Sequence, residues 1–206
     1  MDIIQTLGLA LGASWTAGIN LYATVAVLGL LQRFGFTELP GGLEVLGSWW
    51  LIGLALFMYA IEFVADKVPY VDSIWDAVHT FVRVPAGAVL ALSATTSLSA
   101  GVQVVALLLG GSLAFSTHGT KATLRATANA SPEPFTNWAL SLSEDVLAVG
   151  AILFAVFNPV AILVVIFIFL LILAWILPKV LRRLRRMTEA VRAFFGGKSL
   201  AEAARK

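Results

Sequence analysis

VPAGAVLALSATTSLSAGVQVVALLLGGSLAFST, residues 84–117, is a charge-free run whose length decides how the rest of the chain is read. Its centre, Ser97-Leu98-Ser99-Ala100-Gly101, reads as a turn, so the run holds two apolar segments. Split there, residues 84–96 and 102–117 are each too short to cross about 30 Å of hydrocarbon at about 1.5 Å per residue. Both must borrow length from polar flanks. That draws Asp76, His79 and Arg83 towards the membrane on one side, and His118 and Lys121 on the other.

Composition agrees with a bilayer. The 206 residues are 59% apolar and 13% charged, about half the ~25% charged share of soluble domains. Mean hydropathy is +0.91, which excludes an ordinary soluble core. With no cysteine, neither disulfides nor thiolate metal sites are available. The net charge of +2 hides a division, because residues 1–178 carry −5 and residues 179–206 carry +7. Basic charge beside a membrane helix suits anionic lipid headgroups and not nucleic acid. Asp2 is the first charge and Arg33 the next, so the uncharged run between them is too long for a signal peptide and reads as a retained helix.

The expected fold is an all-α integral membrane protein of about six transmembrane helices. The spans are Ile3 to Gln32, Leu43 to Ile61, a third starting near Asp72, a fourth ending near Arg125, Phe135 to Phe157 and Pro159 to Leu177. Residues 1–178 form the membrane domain and 179–206 a basic, amphipathic cytoplasmic helix. In that tail Gly196-Gly197 marks a stop, and Ser199 with Glu202 a capping box. Gly8, Gly12 and a row of small residues suit close helix packing in the first span. Trp49 and Trp50 suit an interfacial belt. Lys67, Arg83, Lys121, Arg125 and the tail fall on alternate connections, which places both termini in the cytoplasm, with Arg33 the one dissenter.

A shift of 63 residues aligns Ala60–Leu90 with Thr123–Leu153 and matches Pro69 with Pro132, Trp75 with Trp138 and Gly87 with Gly150. This predicts a parallel internal repeat, helices two–three (about 43–98) against helices four–five (about 101–157), with a shared site between the halves. Arg125 takes the place of Glu62 in the alignment, which predicts an opposed charge pair between them.

Helical spacing gathers the polar residues into stripes. Glu62 and Asp66 share one face; Asp72, Asp76, His79 and Arg83 share another; His118, Lys121 and Arg125 share a third. Asn129 stands opposite Asp66 in the repeat. Glu144 and Asp145 lie roughly 14 Å into their span and point about 100° apart, so one should pair with Lys121 or Arg125 while the other lines a cavity. Seven acids against four bases in residues 62–145 favour a bound cation or a proton over an anion. Glu62, Asp66, Asp76, His79, His118, Lys121, Arg125, Asn129, Glu144 and Asp145 are therefore the candidate ion- or substrate-binding residues. Asp72, Asp76, His79 and His118 are candidate metal ligands, although ordinary hydrogen-bonded or pH-titrating histidines fit better and no HExxH spacing is present.

EFVADKVPYVDSIWDAVHTFVRVPAGA (62–88), HGTKATLRATANASPEPFTNW (118–138) and SEDVLAVG (143–150) resemble a bacterial membrane family, domain of unknown function 4126. The resemblance implies a multi-pass inner-membrane protein and supplies no activity. The residues themselves support a small carrier or channel for a cation or proton-coupled solute. A membrane-embedded metal enzyme acting on a lipid or lipid-linked substrate, or a structural assembly partner, are the alternatives, and a homo-oligomer is compatible with each.

Overall fold

The computed structural model describes residues 2–68, 70–129 and 134–195. Along the chain these form α1 (Ile3–Arg33), a 3-10 segment (Gly41–Gly47), α2 (Trp49–Ala65), α3 (Val71–Ala94), α4 (Ala100–Asn129), α5 (Pro134–Phe157) and α6 (Pro159–Phe195), with no strand among the described residues. Two compact units are distinguished, residues 1–164 and residues 165–206. By length and apolarity α1, α3, α4, α5 and α6 each suffice to cross a bilayer.

Length misleads for α1. Asn20 alone in this helix has extended backbone, φ −146° and ψ 102°, and the chain reverses there. Near the N-terminus Gly8 packs on Pro159, and Leu7 and Leu11 share a hollow with Gly101, Val102 and Val105. The next turns descend α3. Ser14 Oγ donates to Gly87 O at 2.7 Å, Arg83 Nη1 to Ile19 O at 3.3 Å, and Tyr22 Oη meets His79 Nε2 at 2.9 Å. The second limb then climbs back: Gly29 packs on Leu46 and Ile52, Gln32 Oε1 accepts from Leu39 N at 2.7 Å, and Gly42 N donates to Thr96 Oγ1 at 3.1 Å. A straight helix would carry Gln32 about 36 Å beyond Gly8, farther than the link to Gly41 returns at about 3.4 Å per residue. So α1 is a re-entrant hairpin with both ends on one face, here called the Arg33 face. The expected first span is corrected to a helix that enters and returns.

That hairpin is the core of its unit. In its most apolar window 72% of the residues are buried, against 33% or less for the other candidate spans. Small side chains make this possible. A Cβ on Gly18 would strike the Thr117 hydroxyl and the Ala114 carbonyl, and one on Gly12 would strike Ala155. The small-residue row is thus a packing surface for α4, α5 and the first turn of α6.

Beside it, α3 packs chiefly on α4. The buried stripe Asp72, Asp76, His79, Arg83, Gly87, Ala91 faces the buried stripe Gly110, Ala114, His118, Lys121, Arg125, Asn129. Toward the Arg33 face the pair meets through glycine and alanine, and toward the other end through charge. The expected second span, Leu43 to Ile61, is broken at Ser48: the 3-10 segment and α2 differ in direction by 75°. Gly41, at φ +60°, lies so close to Ser93 and Thr96 that a Cβ there would collide with both. α2 then runs 17 residues, about 25 Å, toward the opposite face, named here for Lys67. Trp49 and Trp50 are exposed at its start, and the Arg33 guanidinium lies 5.1 Å from the Trp49 ring centre.

α6 passes through Pro178 without interruption to Phe195. Gly196-Gly197 and Ser199 to Glu202 lie outside the described residues, as do Pro69 and Pro132 of the repeat.

Candidate functional site

The hairpin turn of α1 lies against a buried polar cluster contributed by α2, α3, α4 and α5. Breaking a helix inside a membrane frees backbone groups that hydrocarbon cannot satisfy. Here they are capped by side chains. Asn20 Oδ1 accepts from Ala23 N at 2.9 Å, as an N-cap does, and Asn20 O accepts from Thr24 Oγ1 at 2.8 Å. Ile19 O accepts from Arg83. The remaining polar group of Asn20, its amide, donates to Asp145 Oδ1 at 3.0 Å.

Three buried cations organise the cluster. Arg83 reaches Glu62 at 2.6 Å and Asp76 at 3.4 Å. Lys121 lies 3.0 Å from Asp66, 3.4 Å from Glu62, 3.5 Å from Glu144 and 3.8 Å from Asp76. Arg125 reaches Glu144 at 2.5 Å, Asp66 at 3.0 Å and Asp72 at 3.6 Å. The opposed pair expected between Arg125 and Glu62 does not form, because each arginine takes the carboxylates of its neighbours on α2, α3 and α5. Asn129 Nδ2 donates to both Asp72 oxygens, at 2.9 and 3.0 Å, and its Oδ1 accepts from Asn137 Nδ2 at 2.9 Å.

Of Glu144 and Asp145, the first takes the cations and the second takes the hairpin. Asp145 is 6% exposed and, among the described residues, has no ion pair within 4.0 Å. Its Oδ2 has no hydrogen-bond partner there. From the α2 side Tyr59 hydrogen-bonds to Asp145, and Lys67 is its electrostatic neighbour. The Lys67 ammonium is only partly buried. It donates to Phe63 O at 3.0 Å and Ser141 Oγ at 3.3 Å, and sits 2.9 Å from the Phe63 ring centre. Burial pulls its pKa below the ordinary 10.5, with Asp145 and Asp66 acting in the opposite direction.

The histidines are committed elsewhere. His79 bonds Tyr22 and, through Nδ1 at 2.8 Å, Trp75 O, with the Trp75 ring stacked on it at 4.1 Å. His118 Nδ1 meets Arg83 Nη1 at 2.9 Å, and its Nε2 meets Thr80 Oγ1 at 2.9 Å and Asp76 O at 3.0 Å. Asp72 is held by Asn129 and Ser73 N. Asp72, Asp76, His79 and His118 therefore do not converge, and among the described residues no three His, Asp or Glu side chains are placed to hold a metal ion.

All ten expected ion-site residues fall within this cluster or on its buried edge. Asn20, Tyr22, Asn137 and Ser141 also belong to it and were not anticipated. The signal for Asn20 was present: a strong N-cap residue in the middle of a run too long for one span. Asn137 and Ser141 stand eight and four residues before Asp145, on its face of the helix.

The chain matches the family described as domain of unknown function (DUF4126) over residues 7–179. It belongs to that family. No curated protein and no solved structure matches it.

Proposed function

We propose that this protein is a small membrane carrier or channel for a cation or a proton-coupled solute, with its site where the α1 turn meets Asp145. The observation that carries the reading is a buried carboxylate, Asp145, with no ion pair within 4.0 Å among the described residues, at the tip of a re-entrant helix. Broken helices at membrane depth place backbone ends and polar side chains around a site. Six carboxylates (Glu62, Asp66, Asp72, Asp76, Glu144, Asp145) face three deeply buried cations, and that surplus suits a positive guest. Support for a repeat comes from register: α3 begins and ends at Val71 and Ala94, and α5 at Pro134 and Phe157, 63 residues later in each case. Trp75 and Trp138 differ, though, in that Trp75 stacks on His79 while Trp138 is 57% exposed.

The path of α1 changes the proposed orientation. Apart from Arg33, basic side chains gather toward the Lys67 face, which the positive-inside bias makes cytoplasmic. The N-terminus, on the Arg33 face, is then outside, and Arg33 remains the one dissenter. The basic end of α6 is taken as cytoplasmic on the positive-inside bias alone, where Arg182 and its basic neighbours suit anionic headgroups.

A structural role is favoured by one observation, the dense pairing of Glu62, Asp66, Asp76 and Glu144 with cations. Flux separates the readings. In liposomes the protein should carry protons, sodium or potassium down an imposed gradient, and Asp145→Asn should abolish this without loss of stability. A protein that carries none of the three leaves the structural role.

A further inference from the structure

The two routes from water to Asp145 are closed by different materials. Toward the Arg33 face the seal is glycine against backbone and small side chains. Gly18 meets Thr117 and Ala114, Gly87 meets Ala114 and the Gly110 carbonyl, and Gly8 meets Pro159, each too close for a Cβ. Such packing opens only if helices separate. Toward the Lys67 face α5 presents Asn137, Ser141 and Asp145 at four-residue intervals, each buried, at 1%, 1% and 6% exposure. The stripe covers about 12 Å of helix. Two of its acceptors, Asn137 Oδ1 and Asp145 Oδ2, have no hydrogen-bond partner among the described residues. The third group, Ser141 Oγ, accepts from the one cation nearby that is not enclosed in the salt-bridge cluster, Lys67.

We propose that the Asn137–Ser141–Asp145 face of α5 is the entry path for a monovalent cation or proton from the Lys67 side, and that the Lys67 ammonium is its gate. A row of acceptors, two of them without a hydrogen-bond partner among the described residues, solvates a positive guest and repels an anion. The ammonium occupies the middle of the row on a flexible stem, with the Phe63 carbonyl and ring as its resting place outside the stripe. Swinging one lysine is a side-chain motion on the ps–ns scale, whereas parting the glycine seal is a collective one on the μs–ms scale. The side-chain seal is therefore the one that yields first, and the guest displaces a tethered cation of its own charge. The proposal rests on Asp145 as the carrier's site and specifies how that site is reached.

The chain has no cysteine, so one introduced at Ser141 reports the path alone. In proteoliposomes Ser141→Cys should react with the cationic reagent methanethiosulfonate ethylammonium from the Lys67 face. Adding Lys67→Met should speed this about tenfold, the effect of withdrawing the neighbouring positive charge, since Ser141→Cys has itself removed the hydrogen bond. Lys67→Arg should keep it slow, and the anionic sulfonate analogue should be slow throughout. Asn137→Cys repeats the measurement should Ser141→Cys fail to fold. Equal rates with and without the Lys67 charge, reaction from the Arg33 face, or no reaction in any background would each overturn the gate. Ion flux measured on the same preparations is a separate readout: lost gating with Asp145-dependent flux retained refutes the gate and leaves the carrier.

Discussion

Asp145 and Glu144 are neighbours in sequence with opposite electrostatic circumstances, and the difference predicts opposite mutant behaviour. Glu62→Gln leaves the Arg83 guanidinium, which it meets at 2.6 Å with both side chains fully buried, short of its nearest carboxylate. Thermal unfolding in detergent should report a loss of about 3–5 kcal/mol. Glu144→Gln should cost less, since Arg125 keeps Asp66 and Asp72. Asp145→Asn strands no cation, so its stability should stay within about 1 kcal/mol of wild type, and a larger loss would mean that Asp145 holds the fold. Lys67 offers a check independent of transport. Carbon-detected NMR of methylated protein should show it titrating below the ordinary 10.5; a value at or above it would mean that Asp145 and Asp66 outweigh burial.

At the scale of an element, α1 shows what periodicity conveys and what it hides. The stripes of α3 and α4 were legible because their charged residues recur at helical spacing, and both stripes are buried as that spacing requires. The hairpin was not, because one run of apolar and small residues serves a crossing helix and a returning one alike. Only Asn20 distinguishes them, through a side chain that caps the second limb, and its meaning depends on partners 63 and 125 residues away, Arg83 beside Ile19 and Asp145. Asn20→Ala removes the cap on Ala23 and the amide donor to Asp145. The expected cost is about 1–2 kcal/mol for the cap alone, read as a lowered melting temperature. Asn20→Asp keeps the cap but sets a second carboxylate against Asp145, so it should be less stable near neutral pH than in acid. No such pH difference would mean that the two side chains are not in contact.

For the whole molecule, sequence counts identified a membrane protein and most of its helices, while the path of α1 changes the proposed side of one terminus. The proposed orientation keeps the positive-inside count and changes the number of crossings, since a re-entrant segment adds length without changing sides. Cysteine placed at Ile4, which is 57% exposed, should label with an impermeant maleimide from the same side as cysteine at Ser99 or Asn158, and from the side opposite one in the tail. Labelling of Ile4→Cys from the tail's side would restore a crossing first helix.

The hairpin also sets an order of events during synthesis. Its two limbs leave the ribosome before every helix that buries them, and the turn meets its last partner only when α5 is complete. From Arg33 to Phe157 translation at about 5–20 residues per second takes roughly 6–25 s. Through that interval the most enclosed segment of the finished protein is exposed to lipid, with nothing yet holding Asn20. A chain arrested after α4 would possess every cation of the cluster and lack the carboxylate that fastens the turn. Quality control that senses a loose polar tip in the bilayer would therefore act on this protein late, at its fifth helix.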